Sequence, residues 1–154
     1  MVRLLAAVVA VVFLAGCSPA EQGQPALPKS QIVIDAARGP VRFTVEMATT
    51  PEQQRLGLMF RDKLGVDEGM LFDFGRDGFH SFWMKNTPLP LDMLFIKADG
   101  TISTIAENAV PYSLESVVSS EPVRAVLEIN GGRARALGIV PGNIVHAKAF
   151  GNGP

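Results

Sequence analysis

The stretch 69–96, GMLFDFGRDGFHSFWMKNTPLPLDMLFI, most constrains the fold because it concentrates the bulky apolar residues of the chain. It contains five of the eight phenylalanines that follow residue 16, the only tryptophan and three of the five methionines after Met1. Such residues build a hydrophobic core, so the polar residues in the second half of the stretch require a separate explanation. These polar residues are Lys85, Asn86, Thr87 and Asp92.

Length and composition indicate one globular domain. The chain has 154 residues, of which 47% are hydrophobic and 19% charged, which is enough apolar material for one sizeable core. The formal net charge is −1, so the chain has no general attraction to nucleic acid or to anionic lipid. No glycine-rich phosphate loop and no basic-aromatic stripe is present in the sequence, and we expect no nucleic-acid partner.

Residues 1–16 predict a lipoprotein signal peptide. After Arg3 comes an uncharged apolar run that ends at Leu14, too short for the ~20 residues that a membrane-spanning helix needs. The segment LAGC, which ends at Cys17, resembles the lipobox of bacterial lipoproteins, in which the cysteine is acylated. Ser18 after the cysteine resembles lipoproteins sorted to the outer membrane. We expect an exported protein, anchored to the cell envelope through lipidated Cys17 and facing the periplasm; the alternative is a free thiol behind an ordinary signal peptide.

The rest of the chain divides into a tether, a domain and a tail. Residues 17–30 contain three prolines and no apolar period, which predicts a semi-extended tether. Residues 31–150 are predicted to form a single β-rich domain, and residues 151–154 a tail.

Short strands dominate the predicted secondary structure of the domain. Alternating apolar residues predict a hairpin over 31–47, and Thr50-Pro51-Glu52-Gln53 is a helix start with a capping box. Further strands are expected over 79–84 and 144–150. About eight strands, two short helices and no regular βαβ alternation indicate a mainly β fold with small helices (β-rich α+β). We expect a closed or nearly closed barrel-like sheet.

Several motifs together resemble the domain of unknown function 192 family. They are RLGLMFR (55–61), GMLFDF (69–74), FWMKNTPLPLDMLFI (82–96), VLEINGG (126–132) and GIVPGN (138–143). The resemblance covers about residues 32–150. It implies a small, β-rich, barrel-like fold that is often exported or membrane-tethered, and it implies no established activity. The aspartate usual in the last glycine turn of the family is Asn143 here.

The polar cluster of the central stretch predicts a ligand-binding site at the mouth of the barrel. Lys85 and Asn86 leave an apolar strand beside Trp83, and Asp92 follows a loop that two prolines stiffen. Arg61 joins them if the helix and the strand are neighbours. Convergent polar groups beside an aromatic face are typical of small-molecule sites. The alternative is purely structural, with Asn86 and Thr87 capping the turn and Asp92 pairing with Lys85 or Arg61.

Two other functions remain open at this point. His80, Met84 and Met93 are a possible soft ligand set for copper(I), although a strand over 79–84 would place Trp83 on the opposite face from His80 and Met84. A hydrolase that uses His80, Asp92 and a serine is the third interpretation, without any motif that supports it. The main hypothesis is a non-catalytic envelope lipoprotein that binds an unknown small molecule or an envelope protein, and we expect no cofactor.

Overall fold

The computed structural model describes residues 23–154. The predicted signal peptide, Cys17 and the first part of the predicted tether lie outside the described residues. The strands are β1 (Lys29–Ala36), β2 (Gly39–Ala48), β3 (Glu68–Gly78), β4 (Ser81–Phe82), β5 (Leu91–Ile96), β6 (Ile102–Ala109), β7 (Val117–Val118), β8 (Val123–Asn130) and β9 (Val145–His146). The helices are α1 (Pro51–Leu56), α2 (Arg133–Leu137) and a 3-10 turn (Lys148–Phe150). Over the described range, no helix has both the length and the apolar character needed to cross a membrane.

Seven of these strands form one open, strongly curled sheet. Their order is β6-β5-β8-β3-β2-β1-β9, and every neighbouring pair is antiparallel except β2 and β3. The predicted mainly β fold with short helices is therefore confirmed. The sheet is a half-barrel and not a closed barrel, because the edge strands β6 and β9 share no ladder. A single isolated bridge, from Thr101 to Ile144, joins the segments at their ends.

The last predicted strand, 144–150, is the reason that the sheet stays open. Only Val145 and His146 pair with β1, after which the chain turns into the 3-10 helix. A two-residue strand cannot supply the run of backbone hydrogen bonds that would close a barrel.

Both faces of the central strands are buried. In β8, Ala125, Leu127 and Ile129 belong to one hydrophobic cluster, whereas Val126 on the opposite face belongs to a second cluster. Strands β3 and β5 alternate in the same way, with Leu71 and Leu94 in the first cluster. The second cluster contains the phenylalanines of these strands together with Leu58, just after α1, Phe82 of β4 and Val117 of β7. The long apolar run of the central stretch therefore reflects strands with two covered faces.

The predicted strand 79–84 is mostly absent. Only Ser81 and Phe82 are extended, and they pair with β7 in a separate two-stranded sheet. Phe79 and Trp83, on either side of this pair, are 68% and 47% exposed, so the apolar run is not a buried strand. The chain then turns through Asn86, which has a positive φ of 54°.

Asp92 fastens three separate backbone segments together. Its side chain is fully buried and accepts hydrogen bonds from the backbone N–H groups of Asn108, Gly132 and Ala134, at 2.8, 2.8 and 2.9 Å. The carboxylate thus joins the end of β6 to the first turn of α2. Backbone donors around a buried carboxylate satisfy it without a cationic side chain.

We predict that Asp92→Ala lowers the free energy of unfolding by about 3 kcal/mol or more, because three buried N–H groups lose their acceptor. Urea unfolding followed by circular dichroism measures the loss. The matched control is Asp99→Ala, which removes an exposed carboxylate that accepts from the backbone N–H of Thr101 in a hairpin turn and should cost much less. Equal losses in the two variants would contradict the anchoring role of Asp92.

Candidate functional site

A cleft of about 300 Å³ lies over the sheet face that carries the second hydrophobic cluster. Helix α1 and residues 57–59 form one side of it, and residues 80–83 form the other. The cleft is lined by Gln54, Arg55, Leu56, Gly57, Leu58, Met59, Phe72, Phe74, His80, Ser81, Phe82, Trp83, Thr87 and Glu128. Its volume is at the lower end of the ~300–1,000 Å³ typical of small-molecule sites.

The helical side of the cleft is fixed by local features of the sequence. Helix α1 begins with the predicted capping box, in which Thr50 accepts from the backbone of Gln53 and the Gln53 side chain accepts from the backbone of Thr50. The Gln54 amide donates to the carbonyl oxygens of Ala48 and Asp73, at 3.2 and 2.9 Å, and so ties α1 to β2 and β3.

Gly57 ends α1 and allows the helix to approach the sheet closely. It has a positive φ of 48°, and a Cβ at this position would lie 3.1 Å from the Phe72 ring. A glycine avoids both the backbone strain and the contact with the ring. The floor and the helical wall of the cleft therefore meet with no side chain between them at this point.

Aromatic rings form the opposite wall and part of the floor. Phe82 packs edge-on against Phe72, with ring centroids 5.0 Å apart and an interplanar angle of 88°. It packs in the same manner against Phe95, at 6.2 Å and 88°. Phe74 stacks on the His80 imidazole at 3.6 Å. Interlocked rings of this kind give a rigid apolar surface.

Glu128 places a carboxyl group in this apolar cleft. The residue is 4% exposed, and its cross-strand neighbours in β3 and β5 are Met70 and Met93. Among residues 23–154, the Glu128 carboxyl has no hydrogen-bond or ion-pair partner. Burial raises the pKa of Glu128 from its ordinary value of 4.5 to about 8, so the group is mostly protonated at neutral pH.

His80 is a half-buried polar residue of the cleft wall. Its backbone N–H donates to the Ser119 hydroxyl at 3.0 Å, and its ring has a hydrogen bond to the backbone of Val123. Burial is the larger influence and lowers the pKa of His80, so the imidazole is neutral near pH 7. Its Nε2 atom is buried without a partner among the described residues.

The structure brings together two of the five residues predicted to bind a ligand. The Lys85 ammonium group lies 5.3 Å from the centroid of the Trp83 indole, in a cation–π contact at the mouth of the cleft. Trp83 lines the cleft, whereas Lys85 lies beside it. Asn86 links the segment after Trp83 to the segment after α1 through its backbone, because its carbonyl oxygen accepts a hydrogen bond from the N–H of Phe60 at 2.7 Å.

Arg61 and Asp92 lie elsewhere. Arg61 forms an ion pair with the largely buried Glu46, at 3.1 Å, which also accepts from the backbone N–H of Leu27. Asp92 lies on the opposite face of β5 from Met93, which pairs with Glu128 on the cleft face. Both residues stabilise contacts between segments of the backbone, and neither lines the cleft.

The described residues give no support to a metal centre. Over residues 23–154, no group of three or more His, Cys, Asp or Glu side chains could hold a metal ion. Of the candidate copper ligands, Met84 and Met93 are buried in the second hydrophobic cluster, while His80 lies in the cleft wall against Phe74. The hydrolytic interpretation lacks its His80–Asp92 pair, because the Asp92 carboxylate is occupied by backbone N–H groups.

Sequence reasoning misses Glu128 because the pattern of its strand is an ordinary one. In VRAVLEIN, Ala125, Leu127 and Ile129 form an apolar face, and Glu128 alternates with them on the face that normally meets solvent. Val126, an apolar residue on that second face, is the one feature of the strand that indicates that this face is also buried. The fold covers this face with α1 and β4, so that a carboxylate expected in solvent becomes a buried acid.

The fold and the cleft define a small, mainly β domain with one aromatic cleft and a buried acid. The chain belongs to the DUF192 family, described as uncharacterized ACR, whose model matches residues 32–147. Comparison with curated proteins gives no significant match.

Solved structures of other proteins share the fold. One is a protein of Sinorhizobium meliloti 1021 described as a proposed transcription regulator, with 47% identity and a TM-score of 0.79, over 82% of this chain and 99% of that one. Another is a protein of unknown function from Novosphingobium aromaticivorans DSM 12444, with 40% identity and a TM-score of 0.76, over 92% of this chain and 94% of that one.

We predict that Glu128→Gln removes a pH-dependent loss of stability. Because the pKa of Glu128 is raised in the folded state, its contribution is most favourable below pH 4.5 and declines as pH rises towards 8. The free energy of unfolding of the wild type should therefore fall, relative to the variant, by about 3 kcal/mol between about pH 5 and pH 8. Urea unfolding across this range measures the difference.

The control is Glu121→Gln. The Ser103 hydroxyl and the Lys97 ammonium hold the pKa of Glu121 below its usual range, so its contribution is lost only in acid. The difference between this variant and the wild type should be flat above about pH 5.5. A flat difference for Glu128→Gln as well would show that Glu128 is ionised in the folded protein.

Proposed function

We propose that this protein is a ligand-binding module of the cell envelope, with a small, largely apolar molecule bound in the aromatic cleft. The observation that supports this most strongly is the Glu128 carboxyl, buried at the cleft without a partner among the described residues. A polar group that lines an apolar cleft can fix the orientation of a ligand through a hydrogen bond. The aromatic rings would supply apolar contact area, and Glu128 the orientation.

The composition of the cleft favours binding over catalysis. Its titratable lining residues are Arg55, His80 and Glu128, so it contains one carboxyl group. Glycoside hydrolysis generally needs two carboxyl groups, and thiol chemistry would need a cysteine in the cleft. The hydroxyl of Thr87 donates to the carbonyl oxygen of Lys85 at 3.1 Å, which does not activate it as a nucleophile.

The proposed attachment to the envelope rests on the sequence of residues 1–17. Seven residues after Cys17, the buried Gln24 donates to the carbonyl oxygens of Gln53 and Gly57, beside the cleft. From Cys17 to Gly23 the chain can span at most about 21 Å. Lipidated Cys17 would therefore hold the α1 side of the domain near the membrane surface, in reach of amphiphilic molecules.

The charge of this chain does not favour a role in transcription, the role proposed for the Sinorhizobium meliloti protein. DNA-binding domains carry a basic face that neutralises phosphates. This chain has a formal net charge of −1 and is predicted to be exported.

We predict that the dye 1-anilinonaphthalene-8-sulfonate binds the purified native protein with 1:1 stoichiometry, measured by its direct fluorescence. Trp83→Ala should weaken this binding about tenfold, because it removes one aromatic wall at a cost of ~1.4 kcal/mol. The matched control is Phe79→Ala, which truncates a more exposed aromatic residue outside the cleft and should leave binding unchanged. Equal effects of the two substitutions, or no saturable binding, would count against the cleft as the site.

We also predict that Cys17→Ala prevents acylation and releases the protein from membranes, because Cys17 is the only cysteine available for lipidation. Labelling of cells with radioactive palmitate and fractionation of their membranes would measure both effects. Ser18→Ala is the control and should keep both the label and the membrane attachment. Undiminished labelling of the Cys17→Ala variant would refute the proposed anchor.

A further inference from the structure

We infer that Glu128 acts as a hydrogen-bond donor in the cleft, and that the bound molecule presents a carbonyl or carboxylate oxygen to it from an apolar body. This inference rests on the proposed function of the cleft and adds the chemical class of the ligand. An organic ammonium ion is the alternative that it excludes.

The position of Glu128 favours a neutral carboxyl group. On either side along the sheet its neighbours are the methionine side chains of residues 70 and 93, and above it are the aromatic rings of the cleft. None of these can stabilise a negative charge, and burying an unpaired carboxylate would be costly. A protonated carboxyl has an O–H group to donate, and among the described residues no acceptor takes it. The O–H group therefore lacks an acceptor, which a ligand oxygen can supply.

The charges around the cleft also disfavour a cation. The Arg55 guanidinium in the lining is ion-paired with Glu52, at 2.8 Å, so its charge is largely compensated. The Lys85 ammonium lies over the Trp83 indole at the mouth, and the lining contains no acid other than Glu128. A ligand cation would meet the Lys85 charge at the entrance and a neutral acid inside. A carbonyl or carboxylate ligand meets neither penalty.

Among the charged and titratable groups that face Glu128 from neighbouring elements, none changes its charge between about pH 7 and pH 9, whereas Glu128 does. Strands β3 and β5 place methionines beside it, α1 contributes Arg55, and the segment before β4 contributes His80. Arginine keeps its charge throughout the accessible range, and burial lowers the pKa of His80. Affinity for an acceptor ligand should therefore fall as pH rises through about 8, where Glu128 loses its proton.

Four fragments that share a phenyl ring test the inference: acetophenone, benzoate, benzylammonium and ethylbenzene. Binding to the purified native protein would be measured by NMR, from the shift of the indole N–H of Trp83, the only tryptophan in the chain. At about pH 6.5 acetophenone should bind about tenfold more tightly than ethylbenzene, the effect of one buried hydrogen bond. Benzoate should also exceed ethylbenzene, and benzylammonium should bind most weakly. The advantage of acetophenone should disappear by about pH 9.

Two substitutions at Glu128 separate hydrogen bonding from shape. Glu128→Gln retains a donor, so the variant should still prefer acetophenone to ethylbenzene, now without dependence on pH. Glu128→Leu replaces the carboxyl group by an apolar side chain of similar size, which has no donor. Acetophenone should therefore bind to this variant no more tightly than ethylbenzene. Circular dichroism of both variants establishes that they are folded.

The outcomes distinguish this inference from the proposed function. If ethylbenzene binds but acetophenone and benzoate bind no more tightly, or if benzylammonium binds most tightly, the donor role of Glu128 is overturned and the cleft remains a binding site. If none of the four shifts the Trp83 signal, the proposed binding function itself is overturned.

Discussion

Burial of both faces of strands β3, β5 and β8 is the constraint on which the rest of this structure depends. The first face packs inside the curl of the sheet, and the second requires a cover that the sheet cannot provide. Leu58, just after α1, and the small β4–β7 sheet contribute to this cover. The cover is incomplete where α1 ends at Gly57, and the gap is the aromatic cleft. The cleft thus arises because the elements that pack on the second face of the sheet are too short to cover that face completely.

Much of the fold followed from local patterns in the sequence. The first hairpin and the capping box at Thr50 both depend on residues close in the chain, and the structure contains both of them. The errors concern pairing over long distances. The open sheet depends on how far residues after 146 stay extended, and the residues around Trp83 depend on which surfaces are left to cover. Neither the length of the last strand nor the position of the residues around Trp83 is determined by the neighbouring residues in the sequence.

The site was harder to predict than the fold, for a specific physical reason. Asp92 is conspicuous in the sequence because it interrupts an apolar run, but its carboxylate binds three backbone N–H groups on the other face of the sheet. Glu128 is inconspicuous, because a single acid in an alternating strand normally faces water. The environment of each carboxylate is set by distant segments: α2 reaches Asp92, and α1 covers Glu128. Trp83 does line the cleft, because a large aromatic ring beside a turn needs little tertiary context to be placed at a surface.

The two sides of the cleft are attached to the domain by different kinds of contact. On one side, Gln54 and Gln24 together make four hydrogen bonds to backbone carbonyl oxygens and bind α1 to the strands and to the incoming chain. On the other side, the two-pair ladder of β4 and β7 is supplemented by backbone hydrogen bonds of His80 and Met84 and by the packing of Phe82 on Phe72 and Phe95. Both walls are thus held in place by the domain itself, and the distance between them limits the width of a molecule that can enter.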